Sequence, residues 1–313
     1  MRLSVRTLSF ASSLVGRIPS AVAVPVARTL GSVASIVSAD QRKVVERNLQ
    51  RVLGEELNPE DLPRLTREVF RNYAMYWLDS LRIPNVSTED LDRSLTYEGL
   101  EHVIDPQRKG QGVIAAIPHL GSWEAGARWL VEVQGLHVVA AVEKLEPPEL
   151  YEWFVDYRTK DLGIDVVPVG AGAAAGLASA LSSGALLTLL CDRDLTGDGV
   201  EVEFFGERTK LPGGPALLAL RSGCPLVPLA VFHKDGRHHG MVLPPLDTER
   251  RGRLREDVER VTADLAKALE SLIRHDPTQW HVLQPNWPSD FDALGIERPE
   301  WARDTPSAPA VRA

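Results

Sequence analysis

The chain has 313 residues, two cysteines and a formal net charge of −8. With 44% hydrophobic and 25% charged residues, its composition is that of an ordinary globular protein and excludes wholesale disorder. Two cysteines exclude a disulfide scaffold and a four-cysteine zinc site. The acidic total argues against a general nucleic-acid binder, which carries a basic footprint. At ~150 residues per domain, the length allows two domains or one large α/β domain.

Charge is distributed unevenly along the chain. Residues 1–39 carry four arginines and no acidic residue, so 31 of the 35 basic and all 43 acidic residues lie beyond them, a net charge of −12. This pattern favours an N-terminus that contacts an anionic membrane surface. Arg17 and Arg28 divide the segment too finely for a spanning helix, which needs ~20 nearly uncharged residues. We expect an interfacial segment or short docking helices. A polar-capped helical arm and a signal peptide with a cleavage site at Ala21–Ala23 are the alternatives.

Helices are predicted next along the chain. Asp40–Leu53 and Asn58–Leu81 each carry an apolar stripe with the helical period. The second stripe includes Tyr76 and Trp77, which we expect in the core. Leu100–Asp105 resembles a short helix. Residues 1–95 are therefore predicted to form a basic, helical, membrane-associating arm.

Strands and helices then alternate. The predicted strands are Val113–Ile117, Val138–Val142, Val166–Val169, Ala185–Cys191, Leu226–Phe232 and Met241–Leu243. The predicted helices are Ser122–Val133, Pro148–Leu162, Ala173–Ser182, Pro215–Ser222 and Leu254–His275. This order predicts an α/β domain over residues 96–302, with a mostly parallel central sheet flanked by helices. Residues 303–313, rich in Pro, Ala and Ser, are predicted to be a disordered tail.

Polar residues follow the first predicted strand, in the segment "PHLGSWE". Open α/β sheets bind ligands beyond the carboxyl ends of their strands, where His119 lies. Ser122 can cap the next helix and place Glu124 in its first turn, where the helix dipole favours an ionised carboxylate. If Glu124 reached His119, it would orient the ring and raise its pKa, giving a general base. Alternatively, both are ordinary polar residues of a loop and a helix start.

Further segments carry candidate site residues. Asp192-Arg193-Asp194 follows another predicted strand, and Phe204–Phe205 is an aromatic pair at a predicted turn. Gly213–Gly214 leads into a helix whose N-terminal amides could hold an anion or oxyanion.

Other motifs have weaker functional interpretations. The loop at residues 170–176 has the spacing G-x-G-x-x-x-G, which departs from the dinucleotide fingerprint, so an ordinary turn is expected. His233, His238 and His239 flank a turn signal, and exposed hairpin histidines are expected there in preference to a metal site. Cys191 and Cys224 are expected to be buried structural thiols.

Taken in order, these blocks resemble a known family. His119-x4-Glu124, followed by "DRDLTGDGVEVEFFGERTKLPGGPALLALRSGCPLVPL", is similar to the lipid A biosynthesis acyltransferases, within the wider group of HX4D/E glycerolipid-type acyltransferases. The resemblance runs from about residue 15 to residue 290 and includes Pro277–Trp287. The basic N-terminus and "DRDLTG" resemble most the actinobacterial members that acylate phosphatidylinositol mannosides.

The resemblance implies a glycerolipid acyltransferase-like fold and acyl transfer. A palmitoyl chain would pass from acyl-CoA to a mannose hydroxyl of a phosphatidylinositol mannoside, on a peripheral protein at the cytoplasmic face of the cell membrane. His119 would take the hydroxyl proton while Glu124, at a position where many relatives have Asp, holds the ring. Further catalytic carboxylates of the family match Glu143 and Asp192. No cofactor is implied besides the acyl-CoA donor substrate, and no metal.

Several alternatives remain open at this point. Arg193 would face the donor phosphates or the acceptor headgroup, or else pair with Asp192 or Asp194. Phe204–Phe205 would line the acyl groove or pack in the core. The donor could instead be an acyl-carrier protein with another glycolipid as acceptor. Other classes are an NAD(P)-binding Rossmann-type oxidoreductase and a non-catalytic lipid-surface protein. The expected partners are acyl-CoA, a mannosylated phosphoinositide glycolipid and an anionic membrane surface, with no nucleic acid.

Overall fold

The computed structural model describes residues 15–16, 18–143, 147–170, 172–194 and 197–303. The basic N-terminus up to residue 14 and the predicted tail beyond Arg303 lie outside the described residues. Arg303 itself ends a short helix.

Helices precede the first strand. They are α1 (Ser20–Val37), α2 (Ala39–Leu53), α3 (Leu62–Arg82) and α4 (Thr88–Ser94). Helix α1 packs on α3 through small residues, since its buried side chains are Ala23, Ala27, Gly31 and Ser35. A Cβ atom at Gly31 would lie 2.5 Å from the carbonyl oxygen of Phe70, so glycine is what permits this close approach.

Among the described residues, one helix is long and apolar enough to cross a membrane, judged by length and composition alone. This helix is α1. This corrects the expectation that arginines leave too short an apolar stretch, because Arg28 is the one charged residue between Ser20 and Val37. A soluble core helix or a signal sequence meets the same criterion. The face of α1 away from α3 exposes large apolar side chains: Val22, Val26, Leu30, Val33, Ile36 and Val37.

The α/β body follows these helices. Its strands are β1 (Leu95–Glu98), β2 (Val113–Ile117), β3 (Val138–Val142), β4 (Asp165–Pro168), β5 (Leu186–Leu190), β6 (Val200–Phe204), β7 (Glu207–Leu211), β8 (Leu226–Lys234) and β9 (Arg237–Val242). Its helices are α5 (Glu101–Arg108), α6 (Trp123–Glu132), α7 (Pro148–Asp156), α8 (Ala173–Ser182), α9 (Gly214–Ser222), α10 (Leu254–His275), α11 (Pro288–Leu294) and α12 (Glu300–Arg303). A π-helical turn, Tyr157–Asp161, extends α7.

Seven of the strands form one sheet, in the order β1-β9-β8-β2-β5-β3-β4. All its neighbouring pairs are parallel except β8–β9, which confirms the predicted fold class. Strand β2 is buried along its whole length, as expected for a parallel strand with helices on both faces. Its alternate side chains enter two cores: Ile114 and Ala116 pack with α9 and α10, whereas Val113, Ala115 and Ile117 pack with α6 and α7.

Differences from the predicted elements have physical reasons. Strand β1 is absent from the predictions because its four residues form too short a run, and pairing with β9 creates the strand. Strand β9 starts at Arg237, before the predicted Met241, because antiparallel pairing with β8 extends down to the turn. The hairpin β6–β7 has charged residues on one face, so the sequence pattern predicts only the turn between its two strands.

Contacts cross the predicted boundary at residue 95. Arg47 and Arg51 of α2 pair with Asp290 at 2.7 and 2.6 Å, and Asn48 donates a hydrogen bond to the carbonyl oxygen of Val282 at 2.9 Å. Helix α3 reaches α6, where Tyr76 bonds Glu124. Helices α2 and α3 therefore pack against the α/β domain, whereas α1 packs mainly on α3.

Candidate active site

His119 and Asp192 follow β2 and β5, the two strands at the centre of the parallel region. Ile117 pairs with Leu190, so the strands end level and each candidate residue lies two positions further on. His119 Nδ1 is 2.6 Å from Asp192 Oδ1, and the backbone N–H of His119 donates to Oδ2 at 2.9 Å. In the sheet order β8-β2-β5-β3, the chain goes from β2 to β3 in one direction across the sheet. From β5 it continues to β8 in the opposite direction. The pair thus occupies a topological switch point, where open α/β sheets bind ligands.

Asp192 is fully buried but surrounded by donors. Burial alone would raise its pKa, yet the proximity and hydrogen bonds of His119 and the indole N–H of Trp280, at 2.7 Å, hold it below the ordinary 3.8. An ionised carboxylate accepts the Nδ1 proton of a neutral imidazole and leaves Nε2 as the basic nitrogen. The His119 side chain is 31% exposed, so the ring is accessible. The arrangement can perform general-base catalysis.

The loop that carries His119 is held by Gln279–His281. The backbone N–H of His281 donates to the His119 carbonyl oxygen at 2.7 Å, and that of Gly121 donates to Gln279 at 3.0 Å. Gly121 has a φ of +59°, and a Cβ there would overlap the carbonyl oxygen of Val231. Only glycine therefore fits this turn.

Glu124 lies in the first turn of α6 as predicted, but the prediction that it orients His119 is wrong in this structure. Its Oε1 accepts hydrogen bonds from the Tyr76 hydroxyl and from Arg158 Nη2, both at 3.1 Å. Asp192 is the carboxylate that bonds the ring. Burial raises the pKa of Glu124, although Arg158 and Tyr76 act in the opposite direction.

Arg158 and Tyr76 are site residues that the sequence pattern did not single out. Arg158 lies in the π-helical turn, with its guanidinium 5.0 Å from the ring centre of Trp123 and 5.2 Å from that of Phe154. The sequence pattern places Tyr76 in the apolar stripe of a helix, whereas in the structure its hydroxyl donates a hydrogen bond to Glu124. Single π-helical turns occur often at functional sites, but the sequence carries no marker of this one.

His281 is a further half-buried residue beside the loop of His119, and both of its ring nitrogens are buried. Its ring centre lies 5.5 Å from those of Tyr73 and Tyr76. Burial lowers its pKa to about 3, so its ring is neutral at physiological pH. It therefore adds no positive charge next to His119.

Two further predicted site residues, both charged, follow strands of the same parallel sheet at their carboxyl ends. Glu143 follows β3 directly and is exposed. Arg193 Nη1 donates to Gln284 Oε1 at 2.8 Å, a partner that the sequence did not suggest. The catalytic role of Glu143 and the substrate contact of Arg193 remain predictions.

Phe204 and Phe205 are buried in an aromatic cluster. Their ring centres are 4.6 Å apart, Phe204 stacks on Trp287 at 5.7 Å, and Phe205 lies 5.8 Å from Trp280. This burial agrees with the core alternative. Because Trp280 also donates a hydrogen bond to Asp192, this aromatic cluster packs beside the Asp192 carboxylate.

Gly213 and Gly214 lead into α9 as predicted. Gly213 is the residue before the helix and Gly214 is its first residue. Gly213 lies against Val200 of β6 and Val258 of α10. An anion or oxyanion bound by these amides remains a prediction.

The other motifs have clearer outcomes. The glycine-rich loop follows β4, an edge strand, whereas dinucleotides bind at a switch point between central strands, which weighs against the Rossmann alternative. The predicted hairpin exists as β8–β9, but His233 and His238 are only 21% and 11% exposed, facing Asp79. Cys191 and Cys224 are buried free thiols, as predicted.

Comparison with known proteins identifies relatives over most of the chain. The family model for bacterial lipid A biosynthesis acyltransferases matches residues 8–289. The phosphatidylinositol mannoside acyltransferase of Mycolicibacterium smegmatis is 37% identical over 252 residues, 79% of this chain and 80% of that protein. The protein of the same name from Mycobacterium tuberculosis is 36% identical over 254 residues, 79% of this chain and 77% of that protein.

Proposed function

Because the chain belongs to the bacterial lipid A biosynthesis acyltransferase family, we propose that it transfers a palmitoyl chain from acyl-CoA to a mannose hydroxyl of a phosphatidylinositol mannoside. The acceptor follows from the names of the two mycobacterial relatives. The observation that carries the proposal is the accessible imidazole of His119, held by the buried Asp192 at the switch point of the sheet.

In the proposed mechanism, His119 is the general base. Asp192 keeps the proton on Nδ1, so Nε2 accepts the proton of the mannose hydroxyl. The hydroxyl oxygen then forms a bond to the thioester carbonyl carbon, the carbon–sulfur bond breaks, and the thiolate takes the proton back from His119. Asp192 stabilises the transient imidazolium. Atoms and charges balance without a covalent enzyme intermediate, provided that donor and acceptor are held in line.

Glu124 serves in this scheme as a positioning residue. Its carboxylate pairs with Arg158 and accepts the hydrogen bond of Tyr76. These bonds fix α6 against α3 and α7, and α6 begins directly after the loop of His119. We therefore infer that Glu124 acts through the loop and that Asp192 acts on the ring.

The decisive experiment replaces His119 by alanine and measures transfer of radiolabelled palmitate from palmitoyl-CoA to a mannosylated phosphoinositide. We expect a loss of at least about a thousandfold, the scale seen when a general base is removed. His137→Ala is the matched control, since His137 also pairs with a carboxylate, Asp165 at 2.8 Å, but is exposed. Retained transfer by folded His119→Ala protein would contradict the assignment.

The donor is tested in the same assay. Palmitoyl-CoA and palmitoyl-acyl-carrier protein are supplied separately at equal concentration, and we expect turnover with the CoA thioester. Faster transfer from the carrier protein would replace the proposed donor without affecting the assignment of the base.

We further propose that the enzyme is a peripheral protein of the cytoplasmic membrane face, with α1 lying on an anionic surface. The exposed apolar face of α1 and the four arginines of residues 1–39 support this placement. Leu30→Glu removes an apolar side chain that is 63% exposed, so we expect about tenfold weaker sedimentation with anionic liposomes. Ile296→Glu, at a position outside α1 that is 50% exposed, is the control. Unchanged binding of Leu30→Glu would argue against this placement.

A further inference from the structure

We propose that Asp79, His233 and His238 form a binding site for a divalent transition metal ion of the Zn²⁺ type. The site goes beyond the acyl transfer proposed above, because it contains neither His119 nor Asp192. It joins helix α3, which supplies Asp79, to the hairpin β8–β9, which supplies both histidines.

The two histidines are placed by strand pairing. His233 of β8 and His238 of β9 are directly opposite each other in the antiparallel hairpin. Residues that are opposite across two strands project from the same face of the sheet. Their ring centres are 5.0 Å apart. The hairpin thus presents two imidazoles side by side toward α3.

Asp79 completes a three-ligand set. Its Oδ2 lies 2.7 Å from His238 Nε2 and 3.6 Å from His233 Nε2, and the three ligand atoms all lie within 4.8 Å of one another. Zn²⁺ binds imidazole nitrogen and carboxylate oxygen at about 2.0–2.2 Å, which separates tetrahedral ligand atoms by roughly 3.3 Å. The two distances to Asp79 Oδ2 bracket this value, and the three ligand atoms would move closer together around a bound ion.

One ring nitrogen of His233 has no hydrogen bond within the described part of the chain and is free to bind an ion. Nε2 of His233 is buried and has no hydrogen-bond partner among the described residues. Buried polar atoms without a hydrogen-bond partner are uncommon in folded proteins, and a metal-binding role is one explanation for such an atom. A hydrogen bond between His238 and Asp79 explains those two residues without a metal, but it leaves His233 Nε2 unused. An ion bound by all three residues uses this nitrogen, and it leaves Nδ1 of His238 as the remaining buried ring nitrogen of the group without a hydrogen-bond partner among the described residues.

Surrounding bonds hold the ligands in place. The Ser122 hydroxyl donates to Asp79 Oδ2 at 2.7 Å. The side chain of Gln279 makes two hydrogen bonds to the backbone of His233. It accepts one from the His233 N–H at 2.7 Å and donates one to the His233 carbonyl oxygen at 2.9 Å. Hydrogen bonds to ligand side chains orient them in known metal sites, and the bond from Ser122 to Asp79 is of this kind. The bonds of Gln279 hold the backbone of His233.

These outer residues also connect the site to the catalytic loop. Ser122 lies three positions after His119, and the carbonyl oxygen of Gln279 accepts the backbone bond from Gly121. A bound ion would tie α3 and the hairpin to this loop. Three protein ligands also leave a fourth tetrahedral position open.

The test measures metal binding by the full chain with any affinity tag removed, after dialysis against a chelator. Zn²⁺ affinity is obtained by competition with a chromophoric chelator, and Co²⁺ is added separately to record the visible absorption of a tetrahedral site. We expect one equivalent to bind. Since loss of an outer bond alone weakens metal binding by about 10–100-fold, His233→Gln and His238→Gln should each weaken it by at least about 100-fold.

His239→Gln is the matched control, because His239 is the next residue of β9, projects to the opposite face and bonds the Thr96 hydroxyl at 3.0 Å. Thermal melts without metal verify that all variants fold. Zn²⁺ should raise the melting temperature of the wild type and of His239→Gln only. Absence of stoichiometric binding by the wild type, or equal affinity in the His233 and His238 variants, would overturn the proposal. Because no acyl donor or acceptor is present, this outcome is independent of the proposed function.

Discussion

Two buried carboxylates flank the loop of His119, and their surroundings differ. Asp192 comes from the end of a central strand and accepts bonds from His119 and Trp280. Glu124 comes from the first turn of a helix and accepts bonds from Tyr76 and Arg158. The pKa of Asp192 is lowered and that of Glu124 is raised, because burial is outweighed in the first case only.

The comparison teaches that strand register, more than spacing in the motif, selects the hydrogen-bond partner of His119. Glu124 is five positions from His119 in the chain, whereas Asp192 is 73 positions away. Level ends of β2 and β5 nevertheless bring Asp192 to the ring, and α6 directs Glu124 toward α3 and the π-helical turn. The following predictions, from the largest expected effect to the smallest, test this distinction.

Asp192→Asn should have the largest effect. Removal of the charge that holds Nδ1–H favours the wrong tautomer of His119, so we expect turnover to fall by about 10⁴-fold, as for the corresponding change in a serine-protease triad. The measurement is the rate of palmitoyl transfer at saturating donor. Asp165→Asn is the control, because it removes a carboxylate from the exposed pair with His137. A smaller loss than in Glu124→Gln would reverse the roles assigned to the two carboxylates.

The two carboxylates should give opposite pH dependences of stability. The folded-state pKa of Asp192 lies below its ordinary 3.8, so its contribution is present above that pH and is lost as the pH falls through the lowered value. The folded-state pKa of Glu124 lies above 4.5, so its contribution is largest below that pH and is lost as the pH rises through the raised value.

Denaturant unfolding between acidic and neutral pH measures this difference. Asp192→Asn should cost about 1.5–3 kcal/mol near neutral pH, the range for hydrogen bonds to a charged group, and less in acid. Glu124→Gln should cost more in acid than at neutral pH. Parallel pH profiles for the two variants would show that the carboxylates occupy equivalent environments and would contradict the comparison.

Tyr76→Phe should have the smallest effect. It removes one hydrogen bond to Glu124 and leaves the ring packing in place, so we expect a loss of about 1 kcal/mol in the free energy of unfolding. Thermal and denaturant unfolding check this value. Tyr73→Phe is the control, since Tyr73 stacks beside Tyr76 at 6.2 Å. Equal losses in both variants would argue against a specific bond between Tyr76 and Glu124.

Much of the fold could be predicted because its signals are local. The apolar runs Val113–Ile117 and Val138–Val142 coincide with the strands, and Leu254–His275 coincides with α10. The short strand β1 and the start of β9 could not be predicted, because their own residues are only marginally apolar and each becomes a strand by pairing, β1 with β9 and the start of β9 with β8.

The candidate site likewise has residues that the sequence pattern predicts and contacts that it does not. His119 and Asp192 were both predicted as polar residues at strand ends, since a charged or polar residue directly after an apolar run is visible in the sequence. Their bond to each other was not predictable, because it depends on which strands are neighbours. Arg158 and the half-buried histidines of the hairpin were likewise hidden, since their partners come from other elements.

The sequence by itself determined the alternation of strands and helices, the family and the position of His119 at a strand end, because apolar periodicity and short motifs are properties of neighbouring residues. Only the tertiary structure decided that Asp192 holds His119, that Glu124 pairs with Arg158, and that Asp79 meets two histidines. These contacts join residues far apart in the chain. Strand order, register and helix packing bring them together, and these depend on the whole chain.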